Sequence, residues 1–161
     1  MRFNPAEALA LGSIAVVALI QFLRSRRDFS QVFYETVFLA AAVVAAVQIA
    51  GPLHQNQNVP SFLAFVAPLV VFAIGAVAIA TLLNRVLEFD LGRAGWFFGA
   101  LLALVCALLA AHAVLRAAVD LYGPRRPEFS EAVARSWLAN QLYHYSILRN
   151  LIAQLAPAKP D

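Results

Sequence analysis

The sequence predicts an all-α integral membrane protein: four transmembrane helices followed by an amphipathic C-terminal helical tail. Three observations carry this. The chain of 161 residues is 62% apolar and 13% charged, where soluble domains carry about 25% charged residues, and so small a particle cannot hide that much apolar surface from water. The charges are unevenly placed, leaving residues 36–84 and 94–115 without any. Past Tyr122 the uniform apolarity gives way to a one-sided stripe. The boundary falls between a transmembrane domain at 1–123 and a tail at 124–161.

The first span occupies residues 8–23, between Glu7 and Arg24. Its start is written in "NPAE": Asn4 as N-cap, Pro5 at the first helical position, and Glu7 at the positive helix end in capping-box spacing. A cleaved signal peptide is the competing reading. Its basic region would hold only Arg2, and its apolar run is followed by "RSRR" rather than by small residues, so a retained helix is expected. The long uncharged stretch is broken by "GPLHQNQNVPS" (residues 51–61), which reads as a polar turn between spans at 36–50 and 62–83. The fourth span is residues 94–115, whose 22 residues reach about 33 Å against a hydrocarbon core of about 30 Å. The first two spans become long enough if residues 4–7 and 29–35 continue their helices.

Lys and Arg set the orientation. Arg24, Arg26 and Arg27 in loop one and Arg85 and Arg93 in loop three oppose Arg2 alone. Both loops are expected in the cytoplasm and both termini outside, although Arg116, Arg125, Arg126 and Arg135 follow the last span closely. In the tail, Ala134, Leu138, Leu142, Tyr145, Leu148, Ile152 and Leu155 recur at steps of three and four. This is one amphipathic stripe from about residue 130 to 155, which "NQLYHYS" (residues 140–146) could split in two. Trp137, Tyr143 and Tyr145 suit the headgroup layer, so the tail should lie on the membrane surface or pack on the bundle's end.

The most specific feature is a ladder of small residues at every fourth position of span four: Gly95, Gly99, Ala103, Ala107 and Ala111. Small residues on one face let another backbone approach closely. The ladder serves either a homomeric interface or packing against this chain's own helices, and the commonness of Gly and Ala in membrane helices favours the second. A membrane-buried His is a functional candidate by default, yet His112 lies one turn from Arg116 and reads as structural. The topology brings the ends of spans one, two and four to one surface. Glu7, Gln48 and His112 are therefore expected to form an outer polar cluster, with Arg116 a further partner for Glu7. The remaining acids, Asp28, Glu35, Glu88 and Asp90, read as interface charges.

The sequence holds no P-loop, GxSxG elbow or GxGxxG, and no HExxH or Cys/His spacing. No enzyme activity, catalytic residue, metal or cofactor is called for. Lone Cys106 allows no intrachain disulfide. A net charge of +3 is too small and scattered for nucleic acid. The partners expected are the lipid bilayer and another membrane protein, or further copies of the chain.

The order of features resembles the colicin V production protein (CvpA) family of bacterial inner-membrane proteins. The matching residues are Glu7, the basic turn at 24–29, "LGRAGWFFGALLAL" (residues 91–104) and "SWLANQL" (residues 136–142). One departure is that the family's Arg-Gly in the first turn is Arg-Ser or Arg-Asp here. The resemblance implies a non-enzymatic accessory or assembly protein of the inner membrane, tied to toxin production or envelope physiology. It supplies no catalytic residues. The rival is a small channel or permease subunit that forms a pore by oligomerising.

Overall fold

A computed structural model describes residues 4–89 and 91–144, the side chain of Arg93 excepted. Tyr145, Leu148, Ile152 and Leu155 of the tail stripe, and Asp90, lie outside the described residues. The order is α1 (Pro5–Ser25), α2 (Phe29–Gln57), α3 (Ser61–Val86), a 3₁₀ turn (Gly92–Ala94), α4 (Gly95–Tyr122), α5 (Pro127–Arg135) and α6 (Trp137–His144), with no strand among the described residues. The first four are the spans. Their lengths of 21, 29, 26 and 28 residues and mean hydropathies of 2.0 to 2.7 meet what a bilayer requires of a crossing helix. Val71, Ile74 and Leu82 are 65, 67 and 62% exposed. Apolar side chains this bare fit hydrocarbon as their solvent, and the chain is a multi-pass membrane protein.

Local signals explain the helix ends. Asn4 Oδ1 accepts from the backbone N–H of Ala6 at 3.0 Å and of Glu7 at 3.4 Å, as the "NPAE" reading expects. Residues 5–7 and 29–35 do continue their helices, which brings the first two spans to full length. Two boundaries differ from the sequence reading. Residues 51–57 are helical, so the turn at 51–61 shrinks to residues 58–60. Pro52 forfeits one helical hydrogen bond, and in a membrane helix that loss is tolerated. Asn58 stops the helix instead, in the left-handed region at φ 51°, while His54 Nδ1 donates to the Val59 carbonyl at 2.7 Å. The described tail breaks at Ser136, and residues 140–144 of the expected break are helical, while Tyr145 and Ser146 lie outside the described residues. Ser136 is extended, and its Oγ accepts from Ala139 N–H at 3.2 Å, capping α6.

The helices pair as α1 with α4 and α2 with α3, and α2 also lies against α4. The α1–α4 seam is antiparallel and made of small residues. Ala6 and Ala10 meet Ala111 and Leu115 at one end, Gln21 Nε2 reaches Cys106 Sγ at 3.6 Å, and Ser25 faces Gly99 at the other end. All five ladder residues are buried, so the ladder packs within the chain. The tail closes the same core: Val133 of α5 and Ala139 and Leu142 of α6 join Ala6, Ala10, Ala111 and Leu115 in one cluster. Asn4 Nδ2 fastens it further by donating to the Ala132 carbonyl at 3.0 Å. A second cluster joins Ala46 and Ala50 of α2 to Phe65 of α3, with Ala113 and Ala117 of α4 against it.

Two glycines separate seam from surface. A Cβ on Gly99 would lie 2.9 Å from Ser25 Cβ, whereas one on Gly75 would meet nothing within 4 Å. Gly99→Ala is expected to destabilise by about 1–3 kcal/mol, the usual cost of overpacking. Gly75→Ala is expected to stabilise by up to about 0.5–1 kcal/mol, since Ala gives up less backbone freedom in a helix. Thermal melts in detergent check both, and Ser25→Gly combined with Gly99→Ala should recover part of the loss. Equal melting of the two alanine variants would sink the close-approach argument.

Candidate functional site

Charges inside an apolar bundle are costly unless they meet each other. The α1–α2 turn brings them together. Arg24, in the last turn of α1, forms a two-pronged ion pair with Glu35 of α2, Nη1 to Oε2 and Nη2 to Oε1, both 2.7 Å. This geometry is the strongest that guanidinium and carboxylate can adopt. The Glu35 side chain is 4% exposed and the Arg24 side chain 47%, so the acid is the buried partner and the base keeps one side wet. One helical turn before Glu35, Gln31 Nε2 donates to Glu35 Oε1 at 2.7 Å and to Thr81 Oγ1 of α3 at 3.3 Å.

Asp28 is the second hub. As N-cap of α2 it accepts from Gln31 N–H at 2.9 Å, and it also accepts from Ser30 Oγ at 3.3 Å and Asn84 Nδ2 at 3.0 Å. The single Ser30 hydroxyl proton is shared between Asp28 and Asn84 Oδ1. Three helices thus meet in one hydrogen-bonded cluster at the end that holds loops one and three. An aromatic group borders it: Phe29, Phe33, Tyr34 and Phe89 lie edge to face, and Tyr34 Oη donates to the Leu87 carbonyl at 2.9 Å. A cavity of about 300 Å³ opens beside it, lined by Ser25, Arg26, Arg27, Asp28, Phe29, Ser30, Glu88, Phe89, Gly92, Gly95 and Trp96. Gly92 suits its wall, since φ of +53° lies in a region that residues with a side chain rarely adopt.

The opposite end holds the residues that the sequence singles out. Gln48 and His112 line one cavity of about 220 Å³ with Arg116, Tyr143 and His144. Glu7 is not in that lining; it is exposed at the start of α1. Two of the three expected members therefore share a site, and the third lies outside it. His112 is 2% exposed, and its Nδ1 donates to the Leu142 carbonyl at 2.6 Å, holding α6. Arg116 stacks over the Phe65 ring with 5.0 Å from Cζ to centroid. Burial, and after it the Asp120 carboxylate, pushes the Tyr143 phenol above its ordinary range.

The better-built polar site was not singled out from the sequence. Asp28 and Glu35 read as interface charges, and Thr81 and Asn84 are neutral residues at the end of an uncharged run. The signals that could have found it are Asp28 directly before an apolar run, where an N-cap belongs, and Gln31 four residues before Glu35. Which residue across the bundle would meet them is not written locally. Compared with protein families, curated proteins and solved structures, the chain finds no match.

Two predictions follow from the asymmetric burial of these groups. Removing Arg24 leaves Glu35 buried with only Gln31, whereas removing the Glu35 charge leaves Arg24 able to reach water. Arg24→Ala is therefore expected to cost more than Glu35→Gln. The former should lose about 2–3 kcal/mol, below the roughly 3–5 kcal/mol of a fully buried pair because Arg24 is half wet. Detergent melts decide the order, and the reverse order would refute the assignment of Glu35 as the desolvated partner. At the other end, His112→Ala should weaken the docking of α6 by about 1 kcal/mol, the scale of one hydrogen bond. Hydrogen exchange over residues 137–144 should then rise relative to α4. Unchanged protection there would show that α6 is held without His112.

Proposed function

We propose that this multi-pass membrane protein is a non-enzymatic accessory or assembly factor that works by binding another membrane protein. The observation that supports this reading is the close-packed α1–α4 seam, where Ala6, Ala10, Ala107 and Ala111 are all 0% exposed. A seam filled by methyl groups in contact leaves no room for a solute path between these helices. Most of the polar side chains that join helices gather at the two ends, with Gln21 against Cys106 between them. The outward faces of α1 and α3 stay broad and apolar. A scaffold for a partner's helices needs such a rigid centre and open flanks.

In this proposal the setting is the bacterial inner membrane, with the Arg-rich loops cytoplasmic and both termini periplasmic. The five-to-one Arg asymmetry of the loops supports that orientation. The likeness of "LGRAGWFFGALLAL" and "SWLANQL" to the colicin V production family suggests a role in toxin production or envelope physiology. That part of the proposal rests on those motifs alone.

Photo-crosslinking residues placed at Val71 and Ile74, which face outward from α3, test the reading in native membranes. A discrete adduct with one different membrane protein is expected at both positions. The purified chain in liposomes is expected to leave ion and small-solute flux at the protein-free rate. Adducts confined to second copies of the chain, together with solute flux, would favour the oligomeric channel or permease instead.

A further inference from the structure

Outside the packed seam, one cavity combines charge, shape and depth in a way the fastening role does not use. It is the space of about 300 Å³ between the α1–α2 turn and the start of α4. At about 30 Å³ of liquid volume per water, it holds on the order of ten waters, the size of a phospholipid headgroup with its glycerol carbons. Asp28 brings its carboxylate to the wall already occupied by the Gln31 N–H, Ser30 and Asn84. Three lining charges are not so engaged. The Arg26 and Arg27 guanidiniums and the Glu88 carboxylate are exposed, and they make no ion pair or side-chain hydrogen bond among the described residues.

The cavity's depth is set by its neighbours. Trp96, 63% exposed, forms one side, and Phe97, 56% exposed, follows it along α4. These rings sit where the apolar span begins, the level at which aromatic residues meet headgroups. A molecule in the cavity therefore has ions on one side and the edge of the hydrocarbon on the other.

We propose that this cavity binds the headgroup of a zwitterionic phospholipid of the ethanolamine type. Arg26 and Arg27 take the phosphodiester, for which guanidinium geometry is suited. Glu88 accepts from the primary ammonium, and the acyl chains leave past Trp96. Among the described residues, two free cations and one free carboxylate match a phosphate joined to an amine better than they match a purely anionic headgroup, which offers Glu88 no cation. This goes beyond the accessory reading and does not depend on it, because the site is complete within one chain.

The test uses the full chain in a neutral detergent with Trp137→Phe, which leaves Trp96 as the single tryptophan of the original two. Its emission is followed while short-chain phosphatidylethanolamine, short-chain phosphatidylglycerol or inorganic phosphate is added. Saturable change with phosphatidylethanolamine is expected, with phosphatidylglycerol at least about fivefold weaker and free phosphate weaker still. Arg26→Ala with Arg27→Ala should weaken phosphatidylethanolamine binding by about tenfold or more, the scale of one charge-assisted hydrogen bond. Glu88→Gln should remove the preference between the two lipids. Both changes are at exposed positions, and an unchanged melting temperature confirms that the variants fold. The order of the three ligands on the chain with native Arg26, Arg27 and Glu88 tests the proposal without them. Equal or tighter binding of phosphatidylglycerol would overturn the zwitterionic assignment. Phosphate binding as tightly as lipid would overturn the lipid source, and no saturable response to any ligand would overturn the site.

Discussion

The distance between α1 and α4 governs the rest of the molecule. In lipid, apolar side chains gain nothing by leaving their surroundings, so helices associate through contact between atoms, and contact falls away steeply with separation. Ala6 and Ala10 on one helix and Gly99, Ala103, Ala107 and Ala111 on the other keep that separation short. Had these positions carried Leu, the helices would still be apolar and still span, but the two backbones would stand apart. Close approach then sets what meets at either end. It brings Ser25 to Gly99 at one end. At the other it forms a floor of Ala6, Ala10, Ala111 and Leu115 on which Val133, Ala139 and Leu142 sit.

The α2–α3 pair is attached differently. Its contact with α4 is less extensive than that between α1 and α4, and it is secured at its ends. Arg24 with Glu35, and Asp28 with Asn84, tie it at the loop side, while Arg116 over Phe65 does so at the other. These interactions are directional, whereas methyl contacts are not. A helix sliding by one turn along Ala-rich neighbours would lose little contact, but it would strand a buried carboxylate. The small residues thus set how near the helices lie, and the polar ends set their register. The charged and hydrogen-bonding members lie in the first or last few turns of the spans, near headgroups and water. Between them the seam is carbon, apart from Gln21 against Cys106.

The fold class was legible because lipid imposes a rule that composition alone can satisfy: long uncharged runs bounded by charge. The α1 cap was legible because Asn4, Pro5 and Glu7 act within one helical turn. Turn-forming residues were less reliable guides. Gly51 and Pro52 suggested that α2 ends there, yet a helix end in the headgroup layer tolerates both, and the chain turned only where Asn58 could adopt a left-handed conformation. In the tail, polar "NQLYHYS" looked like the break, but Ser136 was placed to cap a new helix that runs through residues 140–144. The polar site was the hardest to read. Gln48 and His112 could be assigned to one end of the bundle from topology, and they share a cavity there. Which acids would be buried depended on how α1, α2 and α3 rotate about their axes, and no local signal carries that rotation.

That rotation also divides the charges of the loop end into two kinds. Those pointing into the bundle had to be neutralised, since an unmatched carboxylate at the depth of Glu35 would oppose folding by several kcal/mol. Glu35 and Asp28 are accordingly surrounded by donors. Those pointing away face headgroups and water and carry no such requirement. Arg26, Arg27 and Glu88 line a cavity without being needed to hold it together. Structural demand explains the first group completely, because each member satisfies another. The second group makes no ion pair or side-chain hydrogen bond among the described residues; Arg26 and Arg27 bias the orientation of the spans but hold no helix against another. Under the lipid proposal, these charges, set at the headgroup level around a cavity, are the ones that meet a ligand.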